Sequence, residues 1–144
     1  MRYSTVLWLV ALIMVGSVRQ GLAQDVPRPA CDTLFLQGDM NDCAAKSAQW
    51  SEHRLALLLA ELSDTLKTDG IASLGGVQAK WQAFREAQCS WERDNFDGGT
   101  MAPLAYSSCL AGVTEDRIAE LKGFLCTKGG GDCVASRRYD LEAP

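Results

Sequence analysis

The stretch that decides the fold runs from residue 78 to 121 and reads QAKWQAFREAQCSWERDNFDGGTMAPLAYSSCLAGVTEDRIAEL. It contains two cysteines, Cys89 and Cys109, and between them the adjacent glycines Gly98 and Gly99. Two adjacent glycines permit backbone angles that other residues resist, so they predict a chain reversal. A disulfide between the two cysteines would then tie two antiparallel helices together.

Apolar residues at three- and four-residue steps predict a first helix over residues 39–66. Asp39 or Asn41 can cap its start, and Gly70 is expected to mark its exit. A second helix is predicted from about residue 74 to 94. Its inner stripe is expected to consist of Val77, Trp81, Phe84, Gln88 and Trp91.

A third helix is predicted after the glycine pair, with Thr100 as its cap and Pro103 in its first turn. No strand-like alternation is present. The sequence therefore predicts an all-α domain over residues 24–125, either a three-helix bundle or an antiparallel helical hairpin with an added helix. The inner face of the third helix is expected to carry Leu104, Ala111, Ile118, Leu121 and Leu125.

The N-terminal residues have the pattern of a secretory signal peptide over residues 1–23. An apolar run of about ten residues, Val6–Val15, is shorter than the roughly 20 that span a bilayer. Small residues at Gly21 and Ala23 predict cleavage after Ala23 or one residue later; an uncleaved anchor is the rival interpretation. No cysteine follows the cleavage site to carry a lipid. We expect a periplasmic or secreted protein without stable membrane insertion.

The predicted mature chain is acidic. Cleavage removes Arg2 and Arg19 from the 14 Lys and Arg and leaves all 18 Asp and Glu, for a net charge of −6. Nucleic acid is excluded as a partner because phosphate binding needs a basic footprint. Opposite charge would steer encounter with a basic protein, although net charge also serves solubility alone.

Six cysteines behind a signal peptide indicate disulfides, and six allow fifteen pairings. Neighbours in sequence close loops that are short enough to form early and long enough to avoid strain. A zinc site is the rival interpretation, but the chain has no CxxC pair and its one histidine is His53, so no metal is expected. The favoured pairs are Cys31–Cys43, Cys89–Cys109 and Cys126–Cys133, the last closing a loop before a polar tail in residues 126–144.

The sequence contains no set of catalytic residues. His53 stands between Glu52 and Arg54, which indicates a solvated helix face rather than a catalytic base. Carboxylate pairs on helix surfaces are usually solvated, and glycosidase-type pairs need a cleft that a small bundle seldom builds. We therefore expect no enzyme and no cofactor.

The most regular pattern of polar and aromatic residues consists of Trp81 and Arg85, one turn apart on the second helix, and Thr114 and Arg117 on the third. The Arg85 guanidinium could stack on the indole or hold a carboxylate. Two interpretations remain open: a polar network that fixes how the two helices pair, or a binding site for a ligand or partner.

The same residues carry a resemblance to a known family. The pattern is Q-x-x-W-x-x-[FY]-R-x-x-x-C, a Gly-Gly-Ser/Thr turn, a second cysteine and T-x-x-R-x-x-x-L. With Cys31 and the run Met40–Ala44 upstream, it resembles the lysozyme inhibitor LprI-like N-terminal domain family of small secreted or lipid-anchored bacterial domains. The matching residues are Gln78, Trp81, Phe84, Arg85, Cys89, Gly98, Gly99, Thr100, Cys109, Thr114, Arg117 and Leu121.

The resemblance implies a protein that binds and inhibits lysozyme, and the partner would then be a basic lysozyme. The alternative is a structural or accessory envelope protein that has no lysozyme activity. One candidate inhibitory segment is the loop CTKGGGDC with Lys128 and Asp132, and the other is the Asp97–Thr100 turn. Either segment could also be a plain chain reversal.

Overall fold

A computed structural model describes residues 27–128, with side chains up to residue 125. It contains three helices: α1 spans Gln37–Thr65, α2 spans Thr68–Asp94 and α3 spans Ala102–Lys128. Residues 27–128 contain no strand. The predicted all-α class with about three helices is confirmed. The proposed signal peptide in residues 1–23 lies outside the described residues.

The helices run up, down and up, and α3 packs along both of the others. The two parallel helices meet in register, since Asn41 of α1 lies 3.1 Å from the Thr100 carbonyl oxygen and Arg54 contacts Glu115. In contrast, α2 is antiparallel to α3, because Cys89 joins Cys109 early in α3. The bundle of three helices is therefore the correct one of the two predicted architectures.

The core lies between α1 and α3. Leu58 and Leu62 are 0% and 1% exposed, and they pack with Ile118, at 2%. Burying each such side chain stabilises the fold by about 1.5–3 kcal/mol. From α2 only partly buried apolar side chains reach this cluster. Its members from all three helices, with the partly buried residues packed against it, are Leu55, Leu57, Leu58, Leu59, Leu62, Leu74, Trp81, Ile118, Leu121 and Leu125.

Two disulfides lie within the described residues, Cys31–Cys43 and Cys89–Cys109. Both were favoured from the sequence and both are confirmed. The first fixes the N-terminal arm to α1, and the second fixes α2 to α3. The third predicted pair, Cys126–Cys133, lies outside the residues whose side chains are described.

The connection between α1 and α2 is shorter than predicted. The expected exit at Gly70 is wrong, because α1 ends at Thr65 and α2 begins at Thr68. The Thr65 hydroxyl donates to the Leu62 carbonyl at 2.8 Å, and two extended residues, Leu66 and Lys67, then reverse the chain. A glycine within a helix costs only about 1 kcal/mol, so Gly70 does not stop α2.

The predicted helix caps are also wrong. α1 begins at Gln37, its N-cap residue is Leu36, and no side chain caps it. Asp39 instead lies in the first turn, where its charge favours the helix dipole. At α3 the Ala105 amide donates to the Met101 carbonyl at 3.0 Å, so the helix starts at Ala102, one residue later than a cap at Thr100 would place it.

The buried face of α2 differs most from the prediction. Three members of the expected inner stripe are exposed: Val77 by 51%, Phe84 by 57% and Trp91 by 63%. The residues that α2 buries are Gln78 and Cys89. Helix spacing puts Trp81 and Arg85 between them on the same face, at steps of three and four. α2 therefore turns a largely polar face to α3.

On α3 the predicted inner face is confirmed in part. Ile118, Leu121 and Leu125 are buried, whereas Leu104 and Ala111 are half-buried. The buried polar member that the apolar pattern omitted is Thr114, which is 0% exposed.

We predict that Leu58→Ala lowers the free energy of unfolding by about 2–5 kcal/mol, because it leaves a cavity between α1 and α3. Phe84→Ala, on the exposed face of α2, should change it by no more than about 0.5 kcal/mol. Urea unfolding of both variants measures the difference. Equal losses of unfolding free energy in the two variants would contradict the observed orientation of α2.

Candidate functional site

The predicted polar residues of α2 and α3 meet around one indole ring. The Cζ atom of Arg85 lies 5.0 Å from the centroid of the Trp81 ring, and that of Arg117 lies 5.9 Å from it. Cation–π contacts of this kind contribute about 0.5–2 kcal/mol. The structure therefore brings together Trp81, Arg85, Thr114 and Arg117, as the sequence interpretation required.

Arg85 joins all three helices. One of its terminal nitrogens donates to the Thr114 hydroxyl at 3.0 Å, and the other lies 2.7 Å from Glu52 of α1. Its side chain is only 13% exposed. Thr114 is fully buried, so the hydrogen bond between these two residues is shielded from water. The Arg85 guanidinium therefore sets both the distance of α2 from the other two helices and the rotation of α2 about its own axis.

Arg117 makes the matching contacts one turn further along α3. Its Nε donates to the Gln78 side-chain oxygen at 3.3 Å, and its Nη1 lies 2.8 Å from Glu120. The Arg117 side chain is 12% exposed. We call these contacts the Trp81 network; its members are Glu52, Gln78, Trp81, Arg85, Thr114, Arg117 and Glu120.

The Trp81 network is mainly internal. Both arginine side chains are largely buried and bond to side chains of a neighbouring helix, and Arg117 also lines a groove between α2 and α3. Gln78 Nε2 and Arg85 Nε are buried and have no hydrogen-bond acceptor among the described residues. The bonds from both arginines to side chains of another helix fit the interpretation that the network fixes helix pairing. A direct binding role for its residues stays a prediction.

Gly98 and Gly99 lie apart from the network, in the turn between α2 and α3. The turn follows Asp94, which is nine residues and about 14 Å along α2 from Arg85. Gly98 has a φ of 73°, and the Gly99 amide donates to the Phe96 carbonyl at 2.8 Å. The predicted chain reversal at these glycines is confirmed.

The predicted tail loop falls largely outside the described residues. Lys128 is the last residue of α3, and nothing is described of its side chain. Asp132 and Cys133 lie beyond it. Their proposed inhibitory role stays a prediction.

Sequence reasoning missed a second polar cluster, between α1 and α3. Arg54 was expected on a solvated face, but its side chain is 13% exposed and pairs with Glu115 at 2.7 Å. Its Cζ lies 4.4 Å from the centroid of the Trp50 ring. Ser51, which is 2% exposed, donates to the same carboxylate at 2.7 Å. The sequence feature that could have revealed this cluster is a spacing, because Trp50 and Arg54 stand four residues apart, as Trp81 and Arg85 do.

Within residues 27–128 no group of histidine, cysteine and carboxylate side chains could hold a metal ion. None of the three helices is long and apolar enough to cross a membrane. The fold and its polar clusters define a small, disulfide-bridged helical domain in which arginine and tryptophan side chains join the helices.

Comparison with known proteins gives the family. The sequence model of the lysozyme inhibitor LprI family matches residues 33–121, and the chain belongs to that family. An uncharacterized protein of Rhizobium meliloti (strain 1021) is 31% identical over 109 residues, which cover 67% of this chain and 78% of the relative. No solved structure matches. The matched region spans the Trp81 network and both cysteines of the Cys89–Cys109 bridge.

We predict that Thr114→Val lowers the free energy of unfolding by about 1–3 kcal/mol. Valine nearly preserves the volume but removes the buried acceptor of Arg85. Arg93→Ala, which removes an exposed contact with Asp94, should cost clearly less. Urea unfolding of both variants measures this, and a Thr114→Val protein as stable as the parent would show that the network does not hold α2.

Proposed function

We propose that this protein is a non-enzymatic binding protein of the bacterial envelope that binds and inhibits lysozyme. The observation that carries the proposal is the family match over residues 33–121, which extends from just before α1 to the last third of α3. The family is described as a lysozyme inhibitor, and inhibition is a protein-binding role. Export by a signal peptide in residues 1–23 would deliver the chain to the compartment where lysozyme acts.

Charge supports this partner. The predicted mature chain has a net charge of −6, and lysozymes of the common animal type are basic. Opposite charges raise the rate of encounter, and the effect falls as salt screens them. Association with such a lysozyme should therefore be fast at low ionic strength.

Rigidity supports inhibition. Two disulfides and the Trp81 network fix the positions of the three helices before any partner arrives. A surface that is already ordered loses little conformational entropy on binding. In this proposal the Trp81 network positions the binding surface rather than touching the enzyme.

Two segments remain candidates for the inhibitory contact. The Asp97–Thr100 turn is described, and the left-handed backbone of Asp97, with φ at 47°, gives it a defined shape. The loop with Lys128 and Asp132 would instead offer an ammonium group to the two carboxylates of a lysozyme cleft.

An accessory envelope protein without lysozyme activity is the second candidate function. It is favoured by the internal position of the Trp81 network, because residues that join helices do not by themselves select a partner.

The two functions are separated by a lysis assay. We predict that oxidised protein without residues 1–23 slows lysis of bacterial cell walls by hen-type lysozyme at micromolar concentration. The inhibition should weaken as salt increases, because part of the attraction is electrostatic. Reduced and alkylated protein is the control. If lysis is not slowed at low salt, the accessory function stands and the inhibitor is rejected.

A further inference from the structure

The negative charge of the described chain is concentrated at one end of the bundle. We name this region the bridged end and define it as residues 31–43 and 89–109, the two segments that the disulfides close. It contains six carboxylates and one arginine, a net charge of −5. Residues 27–128 as a whole contain fourteen carboxylates against ten lysines and arginines, a net charge of −4. The rest of the described chain is therefore +1.

The same end exposes most of the large apolar side chains. Of the nine large hydrophobic residues that are exposed within the described chain, five lie here. Isolated exposed apolar residues are ordinary, but a group of this kind marks an interaction surface. Trp and Met are enriched at protein interfaces, and Trp is frequent among the residues that dominate binding energy. The five residues are Phe35, Leu36, Trp91, Phe96 and Met101.

The bridged end is held in one shape by a contact between its two segments and by a contact with the adjoining turn of α2. Asn41 donates to the Thr100 carbonyl at 3.1 Å and so ties the start of α1 to the turn before α3. Tyr106 donates to both oxygens of Glu86 on α2, at 3.0 and 2.8 Å, and this hydrogen bond raises the pKa of the phenol. Together with the two disulfides, these contacts lower the entropy that binding would cost.

We infer that the bridged end is the docking surface of this protein and that its partner is a cationic protein. The apolar side chains would form the centre of the contact and the carboxylates its rim, which is the usual arrangement of a protein interface. The identity of that partner as lysozyme rests on the proposed function. A second copy of this chain fits poorly, because two bridged ends would bring −5 against −5.

The apolar groove at the opposite end lacks this complementarity. It has a volume of about 510 Å³ and lies between the start of α2 and the end of α3. Its charged lining residues are one of each sign, Arg117 and Glu120, which already pair with each other. Charge complementarity therefore favours the bridged end, and not this groove, as the docking surface for a cationic protein.

The apolar part of the surface is tested with Phe96→Ser/Met101→Ser. These residues are 42% and 41% exposed, so the fold should survive their replacement. We expect the variant to bind immobilised hen-type lysozyme at least tenfold more weakly than the parent. The matched control is Val77→Ser/Phe84→Ser, at 51% and 57% exposure on α2 outside the bridged end, which should bind within twofold of the parent.

The charged part is tested by neutralising three exposed carboxylates at the bridged end, with Asp32→Asn/Asp42→Asn/Asp97→Asn. Asparagine also tolerates the left-handed backbone at residue 97. The association rate at low salt should fall about tenfold and lose most of its salt dependence. The control removes the same charge elsewhere, with Asp64→Asn/Asp69→Asn/Asp116→Asn, and should lower the rate less than threefold.

The outcomes separate the two proposals. If the parent binds lysozyme and each bridged-end variant is weaker than its control, the docking surface is supported. If the parent binds and the bridged-end variants match their controls, the surface is wrong although the inhibitor function stands. If the parent does not bind at micromolar concentration, the proposed function fails and the docking inference fails with it. Near-UV circular dichroism of every variant identifies loss of fold. If Phe96→Ser/Met101→Ser misfolds, it is replaced by Phe35→Ser/Leu36→Ser at the same end.

Discussion

The arrangement of the three helices depends on the guanidinium of Arg85. It is bonded to Thr114 of α3 and to Glu52 of α1 while its own backbone belongs to α2. Because α2 contributes few apolar side chains to the core, burial alone does not fix its rotation. The hydrogen bond to a fully buried threonine does, since an arginine turned away would leave that hydroxyl without its donor. The Cys89–Cys109 bridge then fixes α2 along its axis.

The exposed stripe of α2 follows from this rotation. Residues 77, 84 and 91 are seven apart and share one face, whereas residues 78, 81, 85 and 89 share the neighbouring one. Adjacent side chains on a helix point about 100° apart, so α2 cannot turn both faces toward α3 at once. The polar face faces α3 because it carries the disulfide and the arginine. Val77, Phe84 and Trp91 consequently remain in solvent.

The predictable features were those set by local rules. The number of helices, the reversal at Gly98 and the two described disulfides followed from periodicity, glycine and cysteine spacing. The buried face of α2 did not, because periodicity assumes that apolar residues turn inward and cannot weigh an arginine whose acceptor is 29 residues away. Arg54 was misassigned for the same reason, since its partner Glu115 is 61 residues distant. Gly70 was misread because a two-residue reversal needs no glycine.

The family pattern does not include the exposed apolar side chains of the proposed docking surface. Trp81, Arg85, Thr114 and Arg117 belong to the pattern and lie between helices, so they build the frame. Phe96 and Met101 flank the glycine turn and are exposed, yet neither belongs to the pattern. Because the frame is fixed from inside and by the disulfides, exposed side chains such as Phe96 and Met101 can change without loss of fold. Under the proposal, the residues of the family pattern therefore determine the shape of this protein. The carboxylates and exposed apolar side chains of the bridged end determine which cationic partner it binds.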